Sequence, residues 1–211
     1  MIAVCLLTCD RVAYTSITVD SWTRFNGHDP RFLLLHGDDA SRESTNGDLA
    51  RAHGFRTVVQ HTIRRGNVPT RVDLLKYAAK RAKWILILEN DIESIRPFPW
   101  PLFDFVNAQP EVSSLRLFGK FKDREGFQPC LTTHKREGHT PVEWHPARNA
   151  PEPAQVGRIH WSAQPTVTRS RELVELHRKG IEPPGLTVRV KANVMVHIGV
   201  ERTQALESVA C

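Results

Sequence analysis

Apolar positions fall in two rhythms along the first half of the chain. Ile2 to Leu7, Phe32 to Leu35 and Trp84 to Leu88 are short, nearly continuous apolar runs, the pattern of strands covered on both faces, and Phe55 to Gln60 adds a β-branched fourth. Between them the spacing lengthens to that of helices. Tyr14 to Phe25 sets Ile17, Trp22 and Phe25 near one face and stops at Asn26-Gly27, and Asp48 to His53 closes at Gly54. Pro69 to Lys83 opens on proline and carries Val72, Leu75, Ala79 and Ala82 as an inward stripe opposite its lysines. Strand and helix alternate, so the chain predicts an α/β fold with a mostly parallel, Rossmann-like sheet and helices on both faces.

The second half is less regular. Pro97, Pro99 and Pro101 break the chain, Phe103 to Val106 predicts a short helix and Val112 to Phe118 a strand. Lys120 to Gly157 is polar, rich in Gly, Pro and His and without a period, which marks a functional loop or lid more than a linker. A helix from Arg169 to Lys179 and a strand from Ala192 to Ile198 follow. A chain of 211 residues holds one such domain with an elaborated C-terminal region.

Composition narrows the setting. No apolar run approaches the roughly 20 residues that cross a bilayer, and the N-terminus lacks a basic region, so it reads as a strand and not a signal peptide. Cys5, Cys9, Cys130 and Cys211 show no C-x-x-C spacing, and the cytoplasm is the expected compartment. The net charge is +6, and Arg51 to Lys83 alone holds nine basic residues against one acid, Asp73. That balance permits an anionic partner without requiring one; Arg64 and Arg65 beside Gly66 could serve a diphosphate, and Arg71 a donor base.

The candidate chemistry gathers at strand ends. Trp84-Ile85-Leu86-Ile87-Leu88 runs straight into Glu89-Asn90-Asp91-Ile92-Glu93. Open α/β sheets bind ligands beyond the carboxyl ends of their strands, and side chains at i and i+2 of an extended chain share a side. Glu89 and Asp91 are therefore expected to point together into that crevice and to offer oxygen ligands to a hard divalent cation, Mn or Mg. Thr8, Asp10 and Arg11 follow the first strand and Asp38 and Asp39 the second, which in a parallel sheet puts all of them on one rim.

Taken in order, these pieces resemble the nucleotide-sugar glycosyltransferases of the A-type fold. Leu6-Leu7-Thr8-Cys9-Asp10-Arg11 is similar to the family's opening turn, which cups the nucleotide, and Leu35-His36-Gly37-Asp38-Asp39 to its second strand, whose terminal Asp contacts base or ribose. Arg65-Gly66-Asn67-Val68-Pro69-Thr70-Arg71, a helix, and then Leu88-Glu89-Asn90-Asp91 resemble its glycine loop, helix and metal-binding D-x-D. Val196-His197-Ile198-Gly199 resembles the late His that joins the D-x-D on the metal. The resemblance implies a nucleotide-diphosphate sugar as donor, residues 1–119 as the donor-binding part and 120–211 as the acceptor side, with Asp91, Glu89 and His197 as metal candidates. Glu89 departs from the family's first Asp, which makes Asp91 the firmer ligand.

What such a site would do is transfer a sugar to a hydroxyl. Charge developing on the leaving phosphate would be stabilised by the cation and by Arg64 or Arg65, and a base would take the acceptor's proton. Glu143, Asp123 and Glu125 are candidates for that base, and the sequence does not choose among them. The acceptor stays open between carbohydrate, lipid-linked, protein and modified nucleic-acid hydroxyls, and Trp144 and Trp161 are candidates to stack on sugar or base. His134, His139, His145 and His160 lack the paired spacing of a zinc site. Two other classes compete. A nucleotidylyltransferase would need a glycine-rich turn after the first strand, which Thr8-Cys9-Asp10-Arg11 is not. A basic nucleic-acid-binding domain would interleave aromatic and basic residues, whereas Arg51 to Lys83 has only Phe55 and Tyr77.

Overall fold

The computed structural model describes residues 1–42, 44–117, 145–157, 165–179, 185–190 and 193–198. Its first half runs β1 (Ile2–Thr8), α1 (Val12–Asn26), β2 (Phe32–Asp39), α2 (Thr45–Ala52), β3 (Arg56–His61), α3 (Asn67–Ala79) and β4 (Trp84–Glu89). Then come β5 (Ile92–Ser94), α4 (Trp100–Asn107), β6 (Val112–Arg116), β7 (His145–Pro146), β8 (Ala154–Gly157), β9 (Thr166–Arg169), α5 (Ser170–Lys179), β10 (Leu186–Val190) and β11 (Met195–His197).

One sheet of nine strands has the order β3-β2-β1-β4-β9-β6-β10-β8-β7, and β11 pairs with β5 in a second, two-stranded sheet. From β3 to β4 every pairing is parallel, so the carboxyl ends of β1, β2, β3 and β4 open on one edge. The register aligns Thr8 with Asp38 and Leu7 with Glu89. β9 then runs antiparallel between β4 and β6, and this reversal is not visible in a sequence whose segment Thr166–Arg169 is short and polar.

Alternation along β1 and β4 explains why both faces are dry. Ile2, Val4, Leu6, Trp84, Leu86 and Leu88 belong to one core with Val19 and Trp22 of α1 and Leu102, Phe103 and Val106 of α4. Ala3, Cys5, Leu7, Ile85 and Ile87 face the other way, onto Leu74, Leu75 and Ala78 of α3 and Leu173 of α5. A continuous apolar strand is thus two period-2 faces, each with its own helical cover. Gly37 in β2 lets α3 approach closely, since a Cβ there would lie 3.2 Å from the Leu74 side chain.

Several expected boundaries and faces move. α3 begins at Asn67 and ends at Ala79, with Pro69 inside its first turn, where an N–H has no helical partner to lose. Its buried face is Thr70, Arg71, Leu74, Leu75 and Ala78, while Val72 and Ala79 are half-buried. In α1 Ile17 is 43% exposed and the inward face is Thr15, Thr18, Val19, Ser21 and Trp22. Trp22, Leu75 and Ala82 are buried as expected, but hydrophobicity alone misses the small hydroxyl side chains that share those faces, which bury readily against a sheet. Part of the stretch read as an irregular loop also joins the sheet edge as β7 and β8; residues 118–144 lie outside the described residues.

Leu86 is wholly buried in the central strand β4. Leu86→Ala is expected to cost about 2–5 kcal/mol and Leu86→Met less than about 1.5 kcal/mol, because only the first leaves a cavity. Urea unfolding followed by circular dichroism checks the difference; equal losses would mean that this strand is not tightly covered.

Candidate functional site

The open edge of the parallel strands carries a cavity of about 430 Å³. β1 and the turn after it supply Leu7, Thr8, Cys9, Asp10 and Arg11, β2 supplies Asp39, and the loop and helix after β3 supply Arg64, Asn67 and Thr70. Glu89, Asn90 and Asp91 close it from the end of β4. All the walls of the cavity therefore come from residues 7–91, within the part expected to bind the donor.

Its shape depends on strained backbone. Asp10 and Arg11 have φ of 52° and 54° and Ala40 has 53°, left-handed values that side-chain-bearing residues seldom adopt. A cage of hydrogen bonds holds the first turn there. Ser41 Oγ accepts from the Asp10 N–H at 2.9 Å, and the Asp10 carbonyl accepts from the Asn46 side chain at 2.8 Å and the Asn90 side chain at 3.3 Å. Arg11 then starts α1, its carbonyl accepting from the N–H groups of Tyr14 and Thr15. Asn46 and Asn90 carry this geometry; Asn90 could have been suspected from its place inside the acidic cluster, whereas Asn46 in α2 has no such signal.

The carboxylates expected to touch the donor mostly bind the protein's own loops. Asp38, 2% exposed, accepts from Thr8 Oγ1 at 2.6 Å, from the Ser41 hydroxyl and N–H at 2.5 and 2.9 Å, and from Gln60 at 3.1 Å. It is absent from the cavity wall, and its hydrogen bonds anchor the strand ends and the loop after β2. Asp39 does line the cavity, and its two oxygens accept from the N–H groups of Arg65 and Gly66 at 2.8 Å each. Burial opposes ionisation of Asp39, but those two donors with Thr70 more than offset it and hold the carboxyl below its ordinary range. Asp10 accepts from the Arg42 N–H and pairs with Arg64, which together keep it low as well.

His36 completes the network from below. The single hydroxyl proton of Thr8 goes to Asp38, so the 2.8 Å contact between Thr8 Oγ1 and His36 Nε2 requires the proton on Nε2. Nδ1, 2.9 Å from Thr57 Oγ1, is then the acceptor. Burial pushes the pKa of this neutral imidazole down to about 4.

At the end of β4 the two acidic candidates part company. Glu89 is the last strand residue and lies on the α3 side, where Arg71 reaches its Oε1 at 2.6 Å and Asn67 at 3.2 Å. Asn90 and Asp91 form a turn, so the i, i+2 parity of an extended chain is lost. Asp91 instead meets Arg11 across the chain, with Arg11 Nη1 at 3.2 Å from its Oδ2. Both carboxylates line one cavity, but each is held by a different arginine. Arg71 is buried against Glu89 and lies off the cavity wall. Arg64, not Arg65, lines the cavity; Arg65 faces Asp73 at 3.6 Å.

β11 brings a distant residue to the same place. His197 pairs with Ile92, and the Ile198 N–H donates to the Asp91 carbonyl at 2.8 Å. The backbone thus sets His197 beside Asp91; its side chain lies outside the described residues. Among the described residues no three His, Cys, Asp or Glu side chains form a ready cation site. A buried carboxylate with an imidazole-bearing residue beside it still fits a hard divalent cation of the Mg or Mn kind, which keeps several waters and takes substrate phosphates as its remaining ligands. Glu89 is engaged by Arg71 and Asn67. Glu143, Asp123, Glu125, Trp144 and Trp161 lie outside the described residues.

No family model matches the chain, and neither does any curated protein. Solved structures do. The crystal structure of S. aureus TarS 1–349 aligns over 99% of this chain and 63% of that one with a TM-score of 0.63 and 14% identity. The same TarS fragment in complex with UDP aligns over 82% and 47% with a TM-score of 0.55 and 16% identity, and its complex with UDP-GlcNAc over 82% and 46% with the same score and identity. The chain spans less than two thirds of the length of these structures. At such identities the likeness is one of fold, a mixed α/β sheet flanked by helices, shared with a protein whose structures hold UDP and UDP-GlcNAc.

Because His36 is neutral when folded and titrates near 6.5 when unfolded, the unfolded chain binds the extra proton between the two values. Stability contributed by His36 is present in full above about pH 6.5 and is lost as the pH falls toward 4. Denaturant midpoints measured across pH 4–7 should drop on the acid side, and His36→Gln, which keeps an N–H donor, should flatten that slope. An unchanged slope in the variant would remove His36 as its cause.

Proposed function

We propose that the chain transfers a sugar from a nucleotide-diphosphate donor to an acceptor hydroxyl, with the cavity at the ends of β1, β2 and β4 as the donor site. The observation that carries this reading is the convergence, within a glycosyltransferase fold, of two arginines with the N-terminal ends of α1 and α3 on one open cavity. At α3 the Asp39 carboxylate already takes the N–H groups of Arg65 and Gly66, whereas α1 has neither a side-chain cap nor an acid in its first turn, so its N–H end is open to an anion. Arg11 and Arg64 add two guanidinium groups, which match phosphate oxygens in geometry and charge. A diphosphate placed there would meet three sources of positive potential without reorganisation of the sheet.

Chemistry then follows from charge. As the bond from the anomeric carbon to the phosphate oxygen breaks, its electron pair stays with the diphosphate, and Arg11 and Arg64 stabilise the leaving group. The acceptor oxygen forms the new bond to the anomeric carbon and gives its proton to a base, for which Glu143 is our candidate. A divalent cation, Mn or Mg, would be held by Asp91 and His197 and would supply further charge neutralisation at the diphosphate. Asp39 and Asp10 act one step back, by holding the loops that carry Gly66 and Arg64. Residues 120–211 supply the acceptor side in this reading.

No helix among the described residues is long and apolar enough to cross a membrane. Cys5 and Cys9 are free thiols, and burial pushes Cys5 well above its usual range and leaves it inert. We place the reaction in the cytoplasm on the strength of those thiols.

UDP, GDP and ADP and their sugars, each with EDTA or with Mn2+, supply the test. One nucleotide class at about 100 times its Kd should raise the thermal midpoint by roughly 5–10 °C. Mn2+ should strengthen that shift, and Asp91→Ala should abolish the Mn2+ increment. A protein whose midpoint responds to none of them does not have a donor site in this cavity.

A further inference from the structure

We propose that Arg11 is a built-in counter-ion which a divalent cation displaces from Asp91 and which then passes to the donor's diphosphate. The proposal rests on the donor-site reading above and adds a coupling between its two ligands.

Arg11 sits where an arginine is costly twice over. Its φ of 54° is left-handed, which only glycine adopts freely. It is the N-cap residue of α1, with no side-chain cap there, so a cation lies at the positive end of a helix dipole. An uncharged polar residue would serve the local fold better on the second count and glycine on the first, and what offsets the cost in the free protein is the contact of Nη1 with Asp91 Oδ2 at 3.2 Å.

The two partners are unequally fixed. The Asp91 side chain is 9% exposed and that of Arg11 47%. Asp91 is also held at its backbone, where its carbonyl accepts from the Ile198 N–H of the segment that ends β11. When the pair opens, Arg11 moves and Asp91 stays. A cation held by Asp91 and a guanidinium on the same carboxylate are like charges within a few ångströms, so binding of one expels the other. The expelled arginine remains tethered at the mouth of the cavity beside Arg64, where a diphosphate is the group that restores neutrality. Cation and nucleotide then reinforce each other's binding, because each removes one side of the Arg11–Asp91 pair.

The experiment uses the full chain, with Mn2+ binding followed by electron paramagnetic resonance and binding of UDP, GDP and ADP by calorimetry in EDTA and in Mn2+. Two variants are compared with the unaltered protein. Arg11→Gln removes the charge and keeps a polar side chain with a similar cost for the left-handed backbone, and Asp91→Asn keeps the shape of the partner without its charge. Arg11→Gln should bind Mn2+ alone roughly 2- to 5-fold tighter, the range of a partly exposed ion pair, and should lose most of the mutual reinforcement. Asp91→Asn should bind the nucleotide in EDTA roughly 2- to 5-fold tighter, because Arg11 is released to it. An Mn2+ affinity that is unchanged or weaker in Arg11→Gln, or no gain for Asp91→Asn in EDTA, overturns the exchange while leaving the donor site standing. If the unaltered protein binds none of the three nucleotides, the donor-site reading falls and takes the exchange with it.

Discussion

Asp38 accepts hydrogen bonds from Thr8 of β1, Ser41 of the next loop and Gln60 of β3 with almost none of its surface in solvent, so three chain segments converge on one carboxylate. A buried carboxylate left without donors would carry its full desolvation cost, and the surrounding groups are therefore bound to keep their places. Asp10 and Asp39 extend the pattern, the first reaching Arg42 and Arg64 and the second the backbone of Arg65 and Gly66. The loops that wall the cavity are tied to one another by anions of the protein itself. Their left-handed residues Asp10, Arg11 and Ala40 keep an unfavourable backbone because these bonds over-determine it.

Three of the four carboxylates that line the cavity are paired with arginines, and the fourth, Asp39, with backbone N–H groups. Arg11 faces Asp91, Arg64 faces Asp10, and Arg71 faces Glu89. The pairs differ in burial: Arg71 and Glu89 are largely covered, while Arg11 and Arg64 keep about half of their side-chain surface in water. The first behaves as a fixed strut between α3 and β4, since losing one partner would leave a poorly solvated charge. The others are held weakly enough for an incoming anion to compete. The exposed guanidinium groups are thus the cations left open to the cavity, and the covered carboxylates keep the frame.

The sheet has two characters that match this division. Parallel strands from β3 to β4 align their carboxyl ends and collect the polar groups on one rim, while β9 reverses the direction and begins a mixed half that reaches out to β7 and β8. Across that boundary β11 returns to β5 and sets His197 next to the turn that carries Asp91. Segments more than 100 residues apart in sequence therefore meet beside Asp91 on the cavity wall.

The apolar runs of β1, β2 and β4, the helices between them and the polar groups at their ends were legible from the chain alone, because two-sided burial leaves continuous apolar strands and parallel pairing puts their ends together. So was the set Thr8, Asp10, Arg11, Asp39, Glu89 and Asp91, all of which line one cavity. What the residue order could not show is which partner each charge takes. Asp38 is consumed inside the protein, Glu89 belongs to Arg71, the inward faces of α1 and α3 run through threonines, and Asn46 with Asn90 fixes the first turn. Hydrophobic periodicity is a local property written into neighbouring residues, and it survives without knowledge of the fold. Hydrogen-bond and ion-pair partners are chosen by three-dimensional proximity among groups dozens of residues apart, and only the packed chain decides them.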